Sequence, residues 1–408
     1  MGLLLGILVV LQAGPTDIAD PSAQCSSLGH NNTVILVSFD GFRQSYRQSF
    51  PTKYLQRLET EGVVSHQVTN SFTTITFPNH YSIVTGLHEE SHGIVSNNFF
   101  DPKFNDTFSM SRHEERWWSQ GEPVWTTAER HNATSAVFFW PGSETSLQGV
   151  RPRYYKHYDR RVPYEERVDT ILRWLCLPEP ARPKFLALYF EEPDHSGHIF
   201  GPGSPEVAAA VHRVDATLGR LMQGLQARNQ LNSVNILVTS DHGMAATDNT
   251  RVVYLSDYIS LSDVQVSGVA TVVHIQPTHF TNRSAVVALH SQLDNKHPNM
   301  AAYLKEDLPA KFFYSNNRRV MPIVLVAAEG WKIHKTRQDS NACCGDHGYD
   351  NSLPSMQPIF LARGPLLKQN VSIPAMQNVD IYGLMCKLLA IAPAPNNGSD
   401  STVTPFLA

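Results

Sequence analysis

Three apolar runs without polar alternation mark the chain, and each ends in acid. Val34–Phe39 is followed by Asp40-Gly41. Phe185–Phe190 is followed by Glu191, Glu192, Asp194 and His198. Val234–Ser240 is followed by Asp241-His242-Gly243. Short β-branched or aromatic runs bounded by turn residues predict strands buried on both faces, as in a parallel sheet. Between them the apolar period changes. Val211, Val214, Leu218, Leu221 and Leu225 recur at spacings of three and four, which predicts a helix over about 203–228 with one core-facing stripe. Asp215 lies between stripe positions and reads as a solvated or capping group. A helix is also expected over 52–61 with Tyr54, Leu55 and Leu58 inward. Another begins near 77–86 with Pro78 in its first turn, and a last one covers 376–391. Residues 251–330 mix strands with a helix near 283–294 and concentrate no polar chemistry. The alternation predicts an α/β fold, a doubly wound, mostly parallel sheet with helices on both faces. No linker composition divides it, so one domain is expected over about 30–400, with 251–330 as a small inserted lobe.

Bulk properties narrow the classes. The 408 residues are 42% hydrophobic and 17% charged, with a net charge of −4, which is ordinary for a globular protein and gives no basic footprint for a nucleic-acid polymer. The apolar stretch from Gly2 to Leu11, followed by the small residues Ala13-Gly14, reads as a signal peptide over about 1–14, although it lacks a positive leading region. Six N-x-S/T sequons, at Asn31, Asn105, Asn132, Asn282, Asn370 and Asn397, agree with passage through the secretory route. No run reaches the ~20 apolar residues of a spanning helix. The expectation is a secreted protein without a membrane anchor in the chain as given, or a cell-surface one whose C-terminal anchor lies outside it. Five cysteines leave one unpaired if the others bridge. Cys343-Cys344, just before His347, invite a zinc-ligand reading, but a disulfide or free thiol in a loop is preferred.

The candidate chemistry follows from donor types. Asp40, Asp194, His198, Asp241, His242 and His347 offer three carboxylates and three imidazoles, a set suited to two borderline-soft divalent ions such as zinc. Asp194 and His198 stand one helical turn apart. Each fragment alone is more often a turn or a surface pair; their joint appearance at strand ends favours a metal site. The run Thr73-Thr74-Ile75-Thr76-Phe77-Pro78-Asn79-His80 places hydroxyls before a helix N-terminus, where free N–H groups favour a phosphate. Without the metal cluster, these threonines would read as simple N-caps.

These segments resemble one family. F-D-G-F-R (39–43), T-F-P-N-H-Y-S-I-V-T-G (76–86), E-P-D-H-S-G-H (192–198), T-S-D-H-G-M (239–244) and D-H-G-Y-D-N (346–351) are similar, in this order, to the ecto-nucleotide pyrophosphatase/phosphodiesterases of the alkaline phosphatase superfamily. The likeness runs from Val34 to Gly398 and is greatest to the fourth and fifth types, through H-Y-S-I-V-T-G (80–86), E-E-S-H-G-I-V (89–95) and W-P-G (140–142). It implies an alkaline-phosphatase-like fold and two Zn2+. Asp40, Thr76, Asp241 and His242 would hold one ion; Asp194, His198 and His347 would hold the other. Thr76 would be the nucleophile of a covalent nucleotidyl-threonine intermediate, and Asn97 would bind a phosphate oxygen.

Family members divide between nucleotides and choline phospholipids. Phe77, beside Thr76, and Tyr158, which matches the family's second stacking aromatic, could hold a base between two rings. The implied substrate is a small nucleotide such as a dinucleoside polyphosphate (diadenosine triphosphate), NAD or ATP, with release of a nucleoside 5′-monophosphate. A choline-phospholipid phosphodiesterase and a catalytically weak cell-surface binding protein are the alternatives. A sulfatase is excluded, because Thr76-Phe77-Pro78-Asn79-His80 lacks the C/S-x-P-x-R pattern.

Overall fold

A computed structural model of the chain describes Cys25, Leu28 and residues 31–278, 282–339 and 343–408. The expected signal segment lies outside the described residues, as do Asn341 and Ala342. All six sequon asparagines are exposed, and Asn105, Asn132 and Asn370 take left-handed backbone angles, which asparagine tolerates better than most residues.

The central sheet has eight strands: β1 (Thr33–Phe39), β2 (Val63–Ser65), β3 (Ser135–Phe138), β4 (Tyr154–Tyr155), β5 (Phe185–Phe190), β6 (Val234–Thr239), β7 (Phe360–Arg363) and β8 (Val371–Ile373). Their order is β8-β2-β7-β6-β1-β5-β3-β4. Strand β1 lies between β5 and β6, parallel to both, so the three apolar runs are neighbours. Strand β7 is antiparallel to β2 and β6, which makes the sheet mixed at that side.

Six helices matter for the site: α1 (Lys53–Glu61), α2 (Thr76–Thr85), α3 (Tyr164–Trp174), α4 (Asp194–Phe200), α5 (Pro205–Ala227) and α6 (Asp380–Leu389). Alternation along β1 explains the layering. Val34 and Leu36 join a core with Ile83 of α2 and Leu384 of α6. Ile35, Val37 and Phe39 join another with Leu58 of α1, Ile171 of α3 and Leu218 of α5. With successive side chains pointing to opposite faces, every position of β1 must be apolar or small to bury both, and every residue of β1 is buried.

The predicted stripe of α5 is wholly buried. In the expected α1, Leu55 and Leu58 are buried and Tyr54 is half-buried. Asp215 is 6% exposed rather than solvated. It caps α1, not its own helix: its carboxylate accepts from the N–H groups of Lys53 (2.9 Å), Tyr54 (3.0 Å) and Leu55 (2.8 Å). Thr52, at the cap position, supplies no side-chain bond. A carboxylate from the neighbouring helix therefore satisfies the orphan donors and meets the positive end of the helix dipole.

Within 251–330 a separate antiparallel sheet runs in the order Val264–Val269, Val272–Pro277, Ile323–Ala327, Met300–Leu304. Helix Arg283–Ser291 packs on it around a third core containing Ile275, Leu289 and Leu325. Disulfides join Cys25 to Cys176 and Cys343 to Cys344, leaving Cys386 free and buried in α6. Among the described residues no helix is long and apolar enough to cross a membrane.

Replacing the shared cap tests this packing. Asp215→Ala removes the acceptor of three N–H groups and is expected to cost about 1–2 kcal/mol, read as an unfolding midpoint several degrees lower with KM unchanged. Asp215→Asn, which keeps one acceptor oxygen, should lose less. Equal stability of Asp215→Ala and the parent would refute the cap.

Candidate metal centre and active-site pocket

The registers set the site. Phe39 pairs with Phe190, and Ser38 with Thr239, so Asp40, Glu191 and Asp241 leave the sheet side by side at its carboxyl edge, where open α/β sheets bind ligands. Backbone bonds then tie the acids together. Asp194 N–H donates to the Asp40 carbonyl (3.0 Å), and Gly41 N–H donates to Asp241 Oδ1 (3.1 Å). Gly41 has φ +66°, and a Cβ there would stand 2.7 Å from Asp194 Cβ; only glycine lets β1 turn this close to α4.

The six predicted donors converge. His242 Nε2 lies 2.9 Å from Asp241 Oδ2 and 3.5 Å from Asp40 Oδ1. Asp194 Oδ1 lies 3.4 Å from His198 Nε2, one turn along α4, and 3.6 Å from His347 Nε2. The His242 and His347 rings stack with centroids 3.5 Å apart, which places the two groups of ligands against each other. The Nδ1 atoms all face backbone carbonyls: His198 to Gly345 (3.0 Å), His242 to Gly243 (2.8 Å), His347 to Thr74 (2.9 Å). Donation from Nδ1 to those carbonyls orients each ring with Nε2 toward the acids, and in the neutral ring it would leave Nε2 as the lone pair, the usual outer support of a metal-bound imidazole.

The carboxylates carry the complementary signature. Asp40 Oδ2 accepts from the Tyr189 hydroxyl (2.6 Å) and Asp241 Oδ1 from Gly41. The oxygens facing inward, Asp40 Oδ1, Asp241 Oδ2 and Asp194 Oδ1, are buried without a hydrogen-bond donor. Burial, then the charges of Asp241 and Asp194, push the Asp40 carboxyl well above the usual range. Burial also opposes ionisation of Asp194, but His198 and His347 outweigh it and hold its carboxyl down to about 2. Burial, then the neighbouring His242, lowers His347 to about 4, which leaves it a neutral ligand. Burial opposes charge on His198 and His242 as well, but Asp194 raises His198 to about 9 and Asp241 raises His242; carboxylates that draw this much positive charge to themselves, among imidazoles, are chemically matched to divalent cations. Asp40, Asp241 and His242 form one such donor cluster, Asp194, His242 and His347 a second, and His198, Asp346 and His347 a third.

Thr76 opens α2 as its first residue. The cap position is Ile75, which makes no side-chain bond, so Thr76 is not an N-cap. Its Oγ1 lies 3.2 Å from His242 Nε2. Asn97 Oδ1 accepts from Phe77 N–H (3.0 Å), which leaves its Nδ2 as the remaining donor. Thr76, Phe77, Asn97, Asp194, His347 and the half-exposed Tyr158 share one cavity of about 720 Å³. Tyr158 is held edge-on against Phe139, with centroids 5.2 Å apart.

Four supporting residues were not singled out by the sequence. Tyr189 sits inside the apolar run of β5 and orients Asp40. His80 Nδ1 lies 2.9 Å from the Thr76 carbonyl and 3.3 Å from Asp241 Oδ2. Asp346 joins the third cluster and pairs with Lys332 at 3.0 Å. Thr271, from the second sheet, donates to the His347 carbonyl (2.8 Å). His80 and Asp346 stood within quoted motifs, whereas nothing in the local sequence marks Tyr189 or Thr271.

Known proteins share this fold and much of its sequence. The model of the type I phosphodiesterase / nucleotide pyrophosphatase family matches residues 34–350. The bis(5′-adenosyl)-triphosphatase enpp4 of Xenopus laevis is 40% identical over 376 residues, covering 92% of this chain and 81% of that protein. Ectonucleotide pyrophosphatase/phosphodiesterase family member 3 of Bos taurus is 41% identical over 383 residues, and there the chain spans only 44% of the relative's length. The solved structure of murine ectonucleotide pyrophosphatase/phosphodiesterase 5, an inactive threonine-to-alanine form in complex with AMP, superposes with a TM-score of 0.88 at 39% identity, covering 92% of this chain and 100% of that one. With sequence, fold and family model in agreement over most of its length, the chain belongs to the type I phosphodiesterase / nucleotide pyrophosphatase family.

Proposed function

We propose that the chain is an extracellular, two-zinc hydrolase of nucleotide phosphodiester and pyrophosphate bonds, acting through a nucleotidyl-threonine intermediate. The observation that carries this reading is Thr76 Oγ1 at 3.2 Å from His242 Nε2, at a helix N-terminus and beside the donor-free oxygens of Asp40 and Asp241. Asp40, Thr76, Asp241 and His242 would hold one ion, and Asp194, His198 and His347 the other. When bound, two zinc ions lower the pKa of a coordinated hydroxyl or water and neutralise developing charge on the phosphoryl oxygens.

The chain's own residues supply the rest. Thr76 Oγ attacks phosphorus in line with the leaving oxygen: the Oγ–P bond forms, the P–O bond breaks with its electron pair departing on the leaving oxygen, and the threonine proton passes to solvent water. The Thr76 N–H at the start of α2 and the Asn97 Nδ2 amide would face the equatorial oxygens, since the Phe77 N–H is already taken by Asn97 Oδ1 and Pro78 has none. Water then cleaves the Oγ–P bond, which regenerates the Thr76 hydroxyl and releases a nucleoside 5′-monophosphate. Phe77 and Tyr158 would stack on the base. That geometry, with the diadenosine-triphosphatase and AMP-bound relatives, favours a nucleotide such as diadenosine triphosphate, NAD or ATP over a choline lipid. Passage through the secretory route, glycosylation at the exposed sequons, and one catalytic unit with 251–330 as an inserted lobe belong to the same proposal.

Thr76→Ala should lower turnover of a nucleotide ester by at least about 10³-fold with bound zinc near the parental level; a normal rate removes Thr76 as nucleophile. Exhaustive chelation should abolish activity and added zinc should restore it, whereas full activity in metal-free protein contradicts the two-metal reading. A competitive panel of diadenosine triphosphate, ATP, NAD and a phosphorylcholine ester should favour a nucleotide, and Tyr158→Ala should raise KM for it about tenfold, as loss of a stacking contact of ~1–1.5 kcal/mol implies. Preference for the choline ester would favour the lipid alternative.

A further inference from the structure

The bridged pair Cys343–Cys344 lies against the site without a role in it. Neither sulfur belongs to a donor cluster among the described residues, yet the main chain of Cys344 touches a ligand directly. Cys344 N–H donates to the His198 carbonyl (3.0 Å), and the Cys344 carbonyl accepts from Thr247 N–H (3.0 Å). The next residue, Gly345, accepts from His198 Nδ1 (3.0 Å). His198 is therefore gripped twice, through its carbonyl and through its ring, by two consecutive residues, Cys344 just before a strand and Gly345 at its start. That strand, Gly345–Asp346, pairs antiparallel with Ala245–Ala246, just beyond His242. It then delivers His347, whose Nε2 lies 3.6 Å from Asp194 Oδ1.

The contacts are too close for side chains to mediate. A Cβ on Gly345 would stand 2.3 Å from the Gly197 carbonyl oxygen, and one on Gly201 would stand 3.1 Å from that of Cys344. At Cys344 and Gly345 position is thus set by backbone contacts, over a ladder of only two residue pairs, and side chains take hold only from Asp346 onward, through Lys332 and Thr271. So short a ladder holds few backbone bonds against the chain's conformational entropy. A covalent ring between adjacent residues removes rotational freedom at the edge of this ladder, next to the residue that grips His198.

We propose that the Cys343–Cys344 bridge is a positioning element for the second ligand set. By fixing the 344–346 backbone it holds His198 in tautomer and orientation and His347 within reach of Asp194. This rests on the two-zinc reading above. It assigns the bridge to the ion held by Asp194, His198 and His347, not to the one held by Asp40, Asp241 and His242. The Cys25–Cys176 bridge, which spans 151 residues, has no such neighbour among the ligands and serves as the comparison.

The test is zinc binding by the full chain, with Cys343→Ser/Cys344→Ser beside Cys25→Ser/Cys176→Ser and the parent. The first variant should retain one zinc tightly, with the dissociation constant for the other raised about 10–100-fold, the usual cost of losing outer support of a ligand. Excess zinc should return kcat to near the parental value with KM unchanged, a rescue that general destabilisation would not give. The remote variant should keep both ions. Two tightly held zincs in Cys343→Ser/Cys344→Ser, or a deficit that zinc does not rescue, overturns the proposal. If that variant does not fold, the same titration on folded parent protein, with this pair reduced by a phosphine and alkylated, gives the same two outcomes. A parent that never retains two zincs defeats the two-metal reading itself, and the proposal with it.

Discussion

Asp40 and Asp241 are buried beside each other, and Asp194 leans onto them from the start of α4, so three carboxylates converge on one small volume. The inward oxygens of all three lack a donor. Burying like charges together is costly unless cations answer them, and the surroundings can be read as arrangements for that answer. Tyr189 and the Gly41 amide occupy the outward oxygens. Three backbone carbonyls turn the three imidazoles so that their lone pairs face inward. Each support removes an alternative hydrogen bond and leaves coordination as the remaining way to satisfy the inward atoms.

The sheet makes this crowding possible. Strands β6, β1 and β5 are parallel neighbours, so their carboxyl ends coincide about 4.8 Å apart, and whatever follows each strand is delivered to the same place. Parallel strands of this kind must be covered on both faces, which the alternating side chains of β1 achieve by joining two separate cores. The same hydrophobic requirement that holds the fold together therefore brings the acids together. The second sheet contributes by a longer route: Thr271 fixes the carbonyl of His347, and Thr74, from the segment before α2, bonds the Tyr349 carbonyl and the Gly348 amide. The loop carrying the last ligand is clamped between the segment that leads into Thr76 and the 251–330 segment.

That division explains what the sequence disclosed. The three apolar runs, the α5 stripe and the six metal-donor candidates were legible because each is a local pattern, and the runs of parallel strands are long enough to lack ambiguity. Thr76 drew its meaning from the donors around it, since a threonine before a helix more often caps it. Asp215 reads from the sequence only as a solvated or capping group, because the helix it caps lies 160 residues away, a distance no periodicity carries. Tyr189 was hidden for a related reason: a hydroxyl inside an apolar run looks like one more core aromatic until β1 is placed beside β5. Thr271 and the pairing of Cys25 with Cys176 likewise depend on contacts between distant segments.

The two ligand groups also differ in how firmly the fold holds them. Asp40, Asp241 and His242 sit directly at the ends of adjacent strands, and His242 and Asp241 are fully buried. Their positions follow from the sheet itself. Asp194 and His198 ride on a helix of only seven residues, the His198 side chain is 36% exposed, and His347 arrives on a two-residue strand. The first group shares the burial of the core. The second is assembled from short pieces whose alignment depends on close contacts at Gly41, against Asp194, and at Gly345, against the Gly197 carbonyl, where no side chain fits. Under the proposed two-zinc mechanism, in which one site would activate the nucleophile and the other would receive the departing group and then water, the site assembled from short pieces would be the one facing the exchanging ligands. It is also where a covalent constraint on the neighbouring backbone has most to contribute.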